Sequence, residues 1–169
     1  MITNEKKEKG ESPDYEKYKQ MILAFLRLEK SITKTKLAKL LYFADFAWFY
    51  NNLKSMSGMQ YRKNQQYGPV ADSYFKIVDE MYDQGEIRIN QIKDGAMLIS
   101  STRSGDMMHL HKIAKTEFDL IKKIEKKWKD EKTSEIVDFT RKQLPYMLAH
   151  ENEIVSYNVF GQEDPDKIF

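Results

Sequence analysis

The chain has 169 residues, a length typical of one domain, with 28 Lys and Arg, 26 Asp and Glu, 3 His and no Cys. The lack of cysteine excludes a disulfide framework, a thiolate zinc site and a cysteine nucleophile in this chain. A net charge of +2 does not by itself require a nucleic-acid or membrane partner, and an aromatic share of 12% argues against whole-chain disorder.

Lysine and glutamate dominate the first 12 residues, and no apolar run of the kind found in secretory signals follows them. We expect a mobile tail at residues 1–12 and a single domain over residues 13–169. The most apolar stretch, residues 37–50, contains Lys39 and Asp45 and is shorter than the ~20 residues of a membrane span. These features predict a cytoplasmic protein without a membrane partner.

The first half of the chain predicts two different helices. Ser12 and Pro13 resemble a cap and first helical turn, and an apolar stripe follows at helical spacing, formed by Tyr18, Met21, Ile22, Phe25 and Leu28. Thr33 is expected to cap a second helix over residues 34–51. In residues 37–50 the apolar side chains point in every direction, which is typical of a central helix packed on several sides.

In the middle of the chain the spacing of the apolar residues changes from helical to alternating. Residues 59–66 fit a short strand or an extended loop, and Gly68-Pro69 is expected to open a helix that ends near Gly85. Residues 87–90 and 97–99 predict two strands joined at Asp94-Gly95, and residues 108–111 suggest a third.

The last part of the chain predicts further helices. One opens at Thr116, with Asp119 completing a capping box, and another runs from residue 133 or 134 to Leu144 and ends before Pro145. The fold class predicted is α+β: a mainly helical single domain around a central buried helix, with a small two- or three-stranded antiparallel sheet.

No known catalytic or nucleotide-binding motif is recognisable, so we predict no enzyme activity, no catalytic residue, no cofactor and no metal site. His109 and His111 would share one face of a strand, and His150 could join them as metal ligands. The alternative is that they form the polar outer face of an edge strand, which we favour because a third ligand is undetermined.

Asp45 is a carboxylate inside the apolar helix. It is either a catalytic acid or a structural group that ties a neighbouring loop to the helix, because a buried carboxylate needs hydrogen bonds or a cation. We favour the structural role, since no second carboxylate or nucleophile stands at a recognisable spacing.

Basic residues cluster before and within the central helix, at Arg27, Lys30, Lys34, Lys36 and Lys39. They permit an alternative in which the protein is a DNA-binding transcriptional regulator with a helix-turn-helix entry. We do not expect nucleic acid as a partner, because the helix is too apolar to expose base-reading side chains. The lysines of residues 112–132 alternate with acids and indicate a solvated helix face.

Residues 151–169 carry five acids and one lysine, a net charge of −4. This segment either folds back onto the basic remainder or attracts a basic partner. Four tyrosines in predicted loops or edges are candidate partner-binding residues: Tyr61, Tyr67, Tyr146 and Tyr157. Each could instead anchor a loop in the core.

Two motifs together resemble the Panacea domain, the SocA-like antitoxin family. The first is KLAKLLYFAD at Lys36 to Asp45, and the second is YGPV at Tyr67 to Val70. A third, weaker similarity lies at Pro145-Tyr146 and residues 153–157, where the family has a Pro-Trp pair preceded by histidine and this chain has Tyr146 and no histidine. The similarity covers roughly residues 32–157.

The resemblance implies an antitoxin of a bacterial or prophage toxin–antitoxin system, which binds and neutralises a cognate toxin protein. At least one relative delivers its toxin to a cytoplasmic protease, so a protease is a further implied partner. The resemblance also assigns a framework role, shaping the loop over residues 55–67, to Leu40, Leu41, Tyr42, Asp45, Gly68 and Pro69.

Overall fold

The computed structural model describes residues 12–169, so the predicted tail at residues 1–12 lies outside the described residues except for Ser12. In chain order the elements are α1 (Tyr15–Leu28), β1 (Ile32–Thr33), α2 (Lys34–Asn52), β2 (Tyr61–Asn64), β3 (Gly68–Ala71), α3 (Tyr74–Asp83), β4 (Ile87–Gln91), β5 (Met97–Ser101), α4 (Arg103–Met107), α5 (Lys115–Trp128), α6 (Thr133–Arg141), α7 (Leu144–Leu148) and α8 (Tyr157–Phe160), followed by a 3-10 turn (Pro165–Lys167). This mainly helical α+β architecture confirms the predicted fold class.

Helix α2 is the centre of the fold. The Thr33 hydroxyl caps it by accepting a hydrogen bond from the Lys36 amide at 3.2 Å, as predicted. All twelve residues of the run 36–47 are buried. A run of this length on every side of a helix requires packing partners all round, and α1, α5, α6 and β3 supply them.

Helix α1 is capped by Asp14 and not by Ser12, the residue expected from the sequence. The Asp14 carboxylate accepts a hydrogen bond from the Lys17 amide at 2.9 Å, and the helix begins at Tyr15. Pro13 therefore precedes the cap and does not occupy the first helical turn.

The three-stranded antiparallel sheet has the order β1-β5-β4. The predicted turn between β4 and β5 is present, with Gly95 at a φ of 79°. The third strand is β1 and not residues 108–111, so this part of the prediction was wrong. Arg27 explains the difference, because its guanidinium contacts the carbonyl oxygens of Gly105 and Met108 and fixes an irregular segment after α4.

Strands β2 and β3 form a separate hairpin, in which Asn64 pairs with Gly68 and Lys63 with Pro69. Gly68-Pro69 therefore belongs to a strand, and the helix predicted to open there begins only at Tyr74. On the other side of β2, the Lys63 amide donates to the carbonyl of Glu153 at 3.0 Å, so the acidic end of the chain borders this hairpin.

The later helices differ from the prediction at their ends. Helix α5 begins at Lys115, where the Ala114 amide donates to the Glu117 carboxylate at 2.9 Å, so Thr116 and Asp119 do not form the cap. Helix α6 ends at Arg141, and Pro145 lies in the first turn of the separate helix α7. Proline suits a first turn because the amide that it lacks has no partner there.

Candidate functional site

Lys39 lies in the interior, where the middle of α2 meets β3. Its side chain is fully buried, and Nζ donates a 2.6 Å hydrogen bond to the carbonyl oxygen of Pro69. Burial, reinforced by the positive charge of Arg141, holds the pKa of the Lys39 ammonium well below its usual range. Sequence reasoning noted Lys39 in the apolar stretch, in the basic run and in the first motif, but did not single it out as a site residue, although a charge inside an apolar helix is the signal that singled out Asp45.

Gly68 fits directly against Lys39. A Cβ at Gly68 would lie 3.0 Å from Lys39 Cε and 3.3 Å from Thr140 Oγ1, and φ at this residue is +76°. Glycine adopts this left-handed conformation without strain and leaves room for both neighbours. The two motifs that define the resemblance, one in α2 and one in β3, are therefore in direct contact.

Asp45 is fully buried and holds the loop that follows α2. Its carboxylate accepts hydrogen bonds from the Ser57 amide at 2.6 Å, the Ser57 hydroxyl at 2.7 Å and the Tyr61 hydroxyl at 2.7 Å. Burial raises the pKa of the Asp45 carboxyl to about 6, and the three donors oppose that rise. The geometry is that of a carboxylate tying a loop to a helix, with its oxygens turned away from solvent.

The remaining framework candidates in α2 also point inward. Leu40, Leu41 and Tyr42 are fully buried. The ring of Tyr42 lies 4.4 Å from that of Phe46 and 5.6 Å from that of Tyr61, measured between ring centres. These side chains form the aromatic interior beneath the loop that Asp45 holds, in keeping with the framework role that the resemblance implies.

Three of the four candidate partner-binding tyrosines donate a hydrogen bond from the hydroxyl inside the fold, Tyr61 and Tyr157 among them. Tyr61 is fully buried and donates to Asp45, so it offers no surface to a partner in this conformation. Tyr157 is half-buried, stacks on Phe46 with 4.1 Å between ring centres, and donates to the Met59 carbonyl at 2.5 Å. Both act as loop anchors, the alternative that the sequence left open.

The other two tyrosines lie against the β2–β3 hairpin, where the Tyr146 hydroxyl donates to the carbonyl oxygen of Asn64 at 3.4 Å. Tyr146 is only 8% exposed, and the ammonium of Lys63 lies 4.3 Å from the centre of its ring. Tyr67 is half-buried at the hairpin tip, 6.0 Å from the ring of Phe75. Tyr67 is therefore a partly exposed candidate at the hairpin tip, together with Phe75, which sequence reasoning did not single out.

The basic run does not form a continuous exposed face. Lys36 is buried and donates to the carbonyls of Lys129 at 3.2 Å and Glu131 at 3.0 Å, at the carboxyl end of α5. A cation there also interacts favourably with the negative end of the helix dipole. With Lys39 buried and Arg27 bound to carbonyls, the run serves mainly to join elements.

The histidines do not converge. His109 and His111 lie in the irregular segment after α4 and not on a strand, with 6.0 Å between ring centres. Within residues 12–169 no group of three or more His, Asp or Glu side chains is arranged to hold a metal ion. The proposed histidine face of an edge strand was wrong, because this segment is not a strand.

The acidic end of the chain contacts the domain. Glu163 is buried and accepts a hydrogen bond from the Leu144 amide at 2.5 Å, and Glu151 accepts one from the Gln65 amide at 2.7 Å. The ammonium of Lys127 contacts the carbonyl oxygen of Phe169. These contacts favour the fold-back alternative for residues 151–169.

Comparison with known families identifies the chain. The model of the antitoxin SocA-like, Panacea domain family matches residues 37–145, well over half of the chain, and the protein belongs to this family. The matched range includes Lys39, Asp45 and Gly68, the residues whose contacts join α2 to the following loop and hairpin. Family membership confirms the resemblance and supports an antitoxin role in general terms.

Two other comparisons found nothing: no curated protein and no solved structure matches the chain. None of the described helices combines the length and apolar character that crossing a membrane requires.

Proposed function

We propose that this protein is a cytoplasmic antitoxin that binds a cognate protein toxin and neutralises it by covering its active surface. The observation that carries the proposal is the family match over residues 37–145. The contacts of Lys39, Asp45 and Gly68 support it, because they use the motif residues to build the interior. The surface can then be adapted to a partner without disturbing the fold.

The environment of Asp45 favours binding over catalysis. Both carboxylate oxygens accept hydrogen bonds from Ser57 or Tyr61, and the residue is fully buried. A general acid must come within hydrogen-bond reach of the group to which it transfers a proton. Asp45 would need the Ser57 loop to move aside before it could meet a substrate.

A DNA-binding regulator is supported less well. Of the three lysines in the first two turns of α2, Lys36 and Lys39 point into the protein and only Lys34 is partly exposed, and the following residues to Ala47 are buried. A recognition helix needs an exposed face that can enter the major groove. Phosphate contacts would give a steep loss of affinity with salt, so titration of upstream DNA at several salt concentrations tests this alternative.

The antitoxin proposal is tested with the products of the two adjacent open reading frames. Each product is expressed alone and together with this protein, and growth is followed. We expect one product to arrest growth, this protein to restore it, and the pair to copurify in a fixed ratio. If neither product is toxic, or if a toxic product is not counteracted, the proposal fails.

Delivery to a protease is a finer form of the same proposal, and the half-life of the toxin distinguishes the two. Neutralisation by occlusion leaves the toxin half-life unchanged or longer, whereas delivery shortens it. The half-life is measured after translation is stopped, with and without this protein. A protein that restores growth while the toxin level stays constant acts by occlusion.

A further inference from the structure

Side chains from four elements meet around the tip of the β2–β3 hairpin. The ammonium of Lys34 at the start of α2 lies 5.1 Å from the centre of the Phe75 ring, and that ring lies 6.0 Å from the ring of Tyr67. From the end of α6, Arg141 donates a 2.8 Å hydrogen bond to the carbonyl oxygen of Gln65. We call Lys34, Tyr67, Phe75 and Arg141 the hairpin-tip patch.

The patch combines partly exposed aromatic surface with a fixed position. Phe75 is 41% exposed, although it lies in the first turn of α3 beside the fully buried Tyr74. The Tyr74 hydroxyl donates to the Lys34 carbonyl at 2.6 Å and so ties α3 to the start of α2. Rigid aromatic side chains of this kind are efficient contact residues, because little conformational freedom is lost on binding.

The patch carries more positive than negative charge, because Lys34 and Arg141 face one carboxylate at the hairpin tip, that of Glu151, which accepts a hydrogen bond from the Gln65 amide at 2.7 Å. Among the described residues, neither Lys34 nor Arg141 has a carboxylate within ion-pair distance, and Arg141 Nε is buried without a hydrogen-bond partner. Lys39 lies beneath the hairpin, and its ammonium is close enough to Arg141 for mutual repulsion. On α3, Asp79 follows Phe75 by one turn and is the acid nearest to it along that helix.

We propose that the hairpin-tip patch is the docking surface for an acidic segment of the cognate toxin. Acidic side chains of that segment pair with Lys34 and with Arg141, and an apolar side chain between them packs on Phe75 and Tyr67. This inference rests on the proposed function, and it adds the place and the chemistry of the contact. Charge complementarity selects the partner, and burial of the two rings supplies contact area.

Single-stranded nucleic acid is the competing occupant, since it also binds cationic and aromatic surfaces. Base stacking needs a free ring face. Lys34 lies over the Phe75 ring, and Tyr67 meets that ring at an interplanar angle of 61°. The two rings therefore do not offer the parallel, open faces on which successive bases stack.

Two variants and two matched controls test the patch. Phe75→Ala removes the exposed ring, and Tyr82→Ala removes another exposed aromatic side chain from the same helix. Lys34→Glu reverses a charge in the first turn of α2, where an acid favours the helix, so folding is preserved. Lys126→Glu makes the same reversal on the exposed face of α5.

Binding of each variant to the purified toxin, the toxic product of the adjacent open reading frame, is measured by calorimetry at two salt concentrations. We expect Phe75→Ala and Lys34→Glu to weaken binding about tenfold or more, and the two controls to change it less than about threefold. Lys34→Glu should also reduce the salt dependence. Thermal unfolding confirms that all four variants are folded.

The outcomes separate this inference from the proposed function. If the unaltered protein neither binds the toxin nor restores growth, the proposed function fails and the docking surface with it. If the unaltered protein binds but the patch variants behave as the controls do, only the docking surface is wrong. The docking surface is also wrong if single-stranded DNA binds and Lys34→Glu abolishes that binding while toxin binding is unchanged.

Discussion

Lys39 and Pro69 are 30 residues apart in the chain, and the ammonium of one donates to the carbonyl oxygen of the other at 2.6 Å. This bond connects the two motifs by which the family is recognised from sequence. It places a positive charge in an interior where no described carboxylate forms an ion pair with it. This arrangement costs free energy unless the ammonium loses its proton.

That cost predicts a pH dependence for Lys39. Because folding lowers the pKa of Lys39 below 10.5, the unfolded chain binds the proton more tightly, and the free energy of unfolding rises with pH up to that value. The excess stability of the unaltered protein over Lys39→Met should therefore increase by up to about 1.4 kcal/mol per pH unit within this window. Urea unfolding at several alkaline pH values measures it.

The control for that experiment is Lys126→Met on the exposed face of α5, which should leave the pH dependence of the free energy of unfolding unchanged. If the free energy of unfolding changes with pH in the same way for Lys39→Met and the unaltered protein, the native state keeps the proton on Lys39.

Asp45 predicts the opposite trend at acid pH. Its pKa rises from 3.8 to about 6 on folding, so the native state binds the proton more tightly than the unfolded chain does. The stabilisation from protonated Asp45 is complete below pH 3.8, and it is lost as the pH rises through about 6. Relative to Asp45→Asn, the free energy of unfolding should fall by about 3 kcal/mol across this window.

Denaturant titrations of both proteins between acid and neutral pH measure this difference, and Asp72→Asn at the surface is the control. A difference that grows as the pH rises would mean that the hydrogen bonds from Ser57 and Tyr61 outweigh burial and lower the pKa of Asp45.

Gly68 and Gly95 form a matched pair for testing the contact between the motifs. Both have positive φ, +76° and +79°, but a Cβ at Gly68 meets Lys39 at 3.0 Å whereas one at Gly95 meets nothing within 4 Å. Gly95→Ala should cost about 1 kcal/mol from backbone strain alone. Gly68→Ala should cost about 1–3 kcal/mol more, because the packing around Lys39 must shift. Equal losses in thermal or urea unfolding would contradict the close fit.

Tyr61 and Tyr157 test the distinction between anchoring and contacting a partner. Tyr61→Phe removes a donor to a buried carboxylate and should cost about 1.5–3 kcal/mol, whereas Tyr157→Phe removes a donor to a carbonyl and should cost about 1 kcal/mol. Once corrected for the folded fraction, toxin affinity should be unchanged by Tyr61→Phe. A loss of affinity in a fully folded Tyr61→Phe protein would show that Tyr61 becomes exposed on binding.

The sequence was sufficient where a local pattern decides the structure. The burial of α2 follows from apolar residues on all its sides, and the hairpin at Gly95 follows from its turn residues and the flanking alternation. The apolar neighbours of Asp45 were enough to predict that its carboxylate is either structural or catalytic. Its partners Ser57 and Tyr61 could not be named, because a long-range hydrogen bond has no signal in one sequence.

The predictions that failed depend on tertiary contacts. Gly68-Pro69 has the composition of a helix start, but pairing with Lys63 and Asn64 makes it a strand. Strand β1 has only two residues, too few for a period, and exists because Ile32 pairs with Ile99. Phe75 was missed as a contact residue because its exposure depends on how α3 lies against α2.

Lys39 and Asp45 lie in α2, and their hydrogen-bond partners lie in the segment that follows it. This arrangement constrains how the protein can be assembled from two fragments. A chain cut in the exposed turn after α2, at residues 53–54, would separate Lys39 and Asp45 from every hydrogen-bond partner described for their side chains. Neither half could bury its share of the interior alone, but each would present the surface that completes the other. The native form is therefore reached only when both halves are present, because each half supplies hydrogen-bond partners and apolar surface that the other lacks.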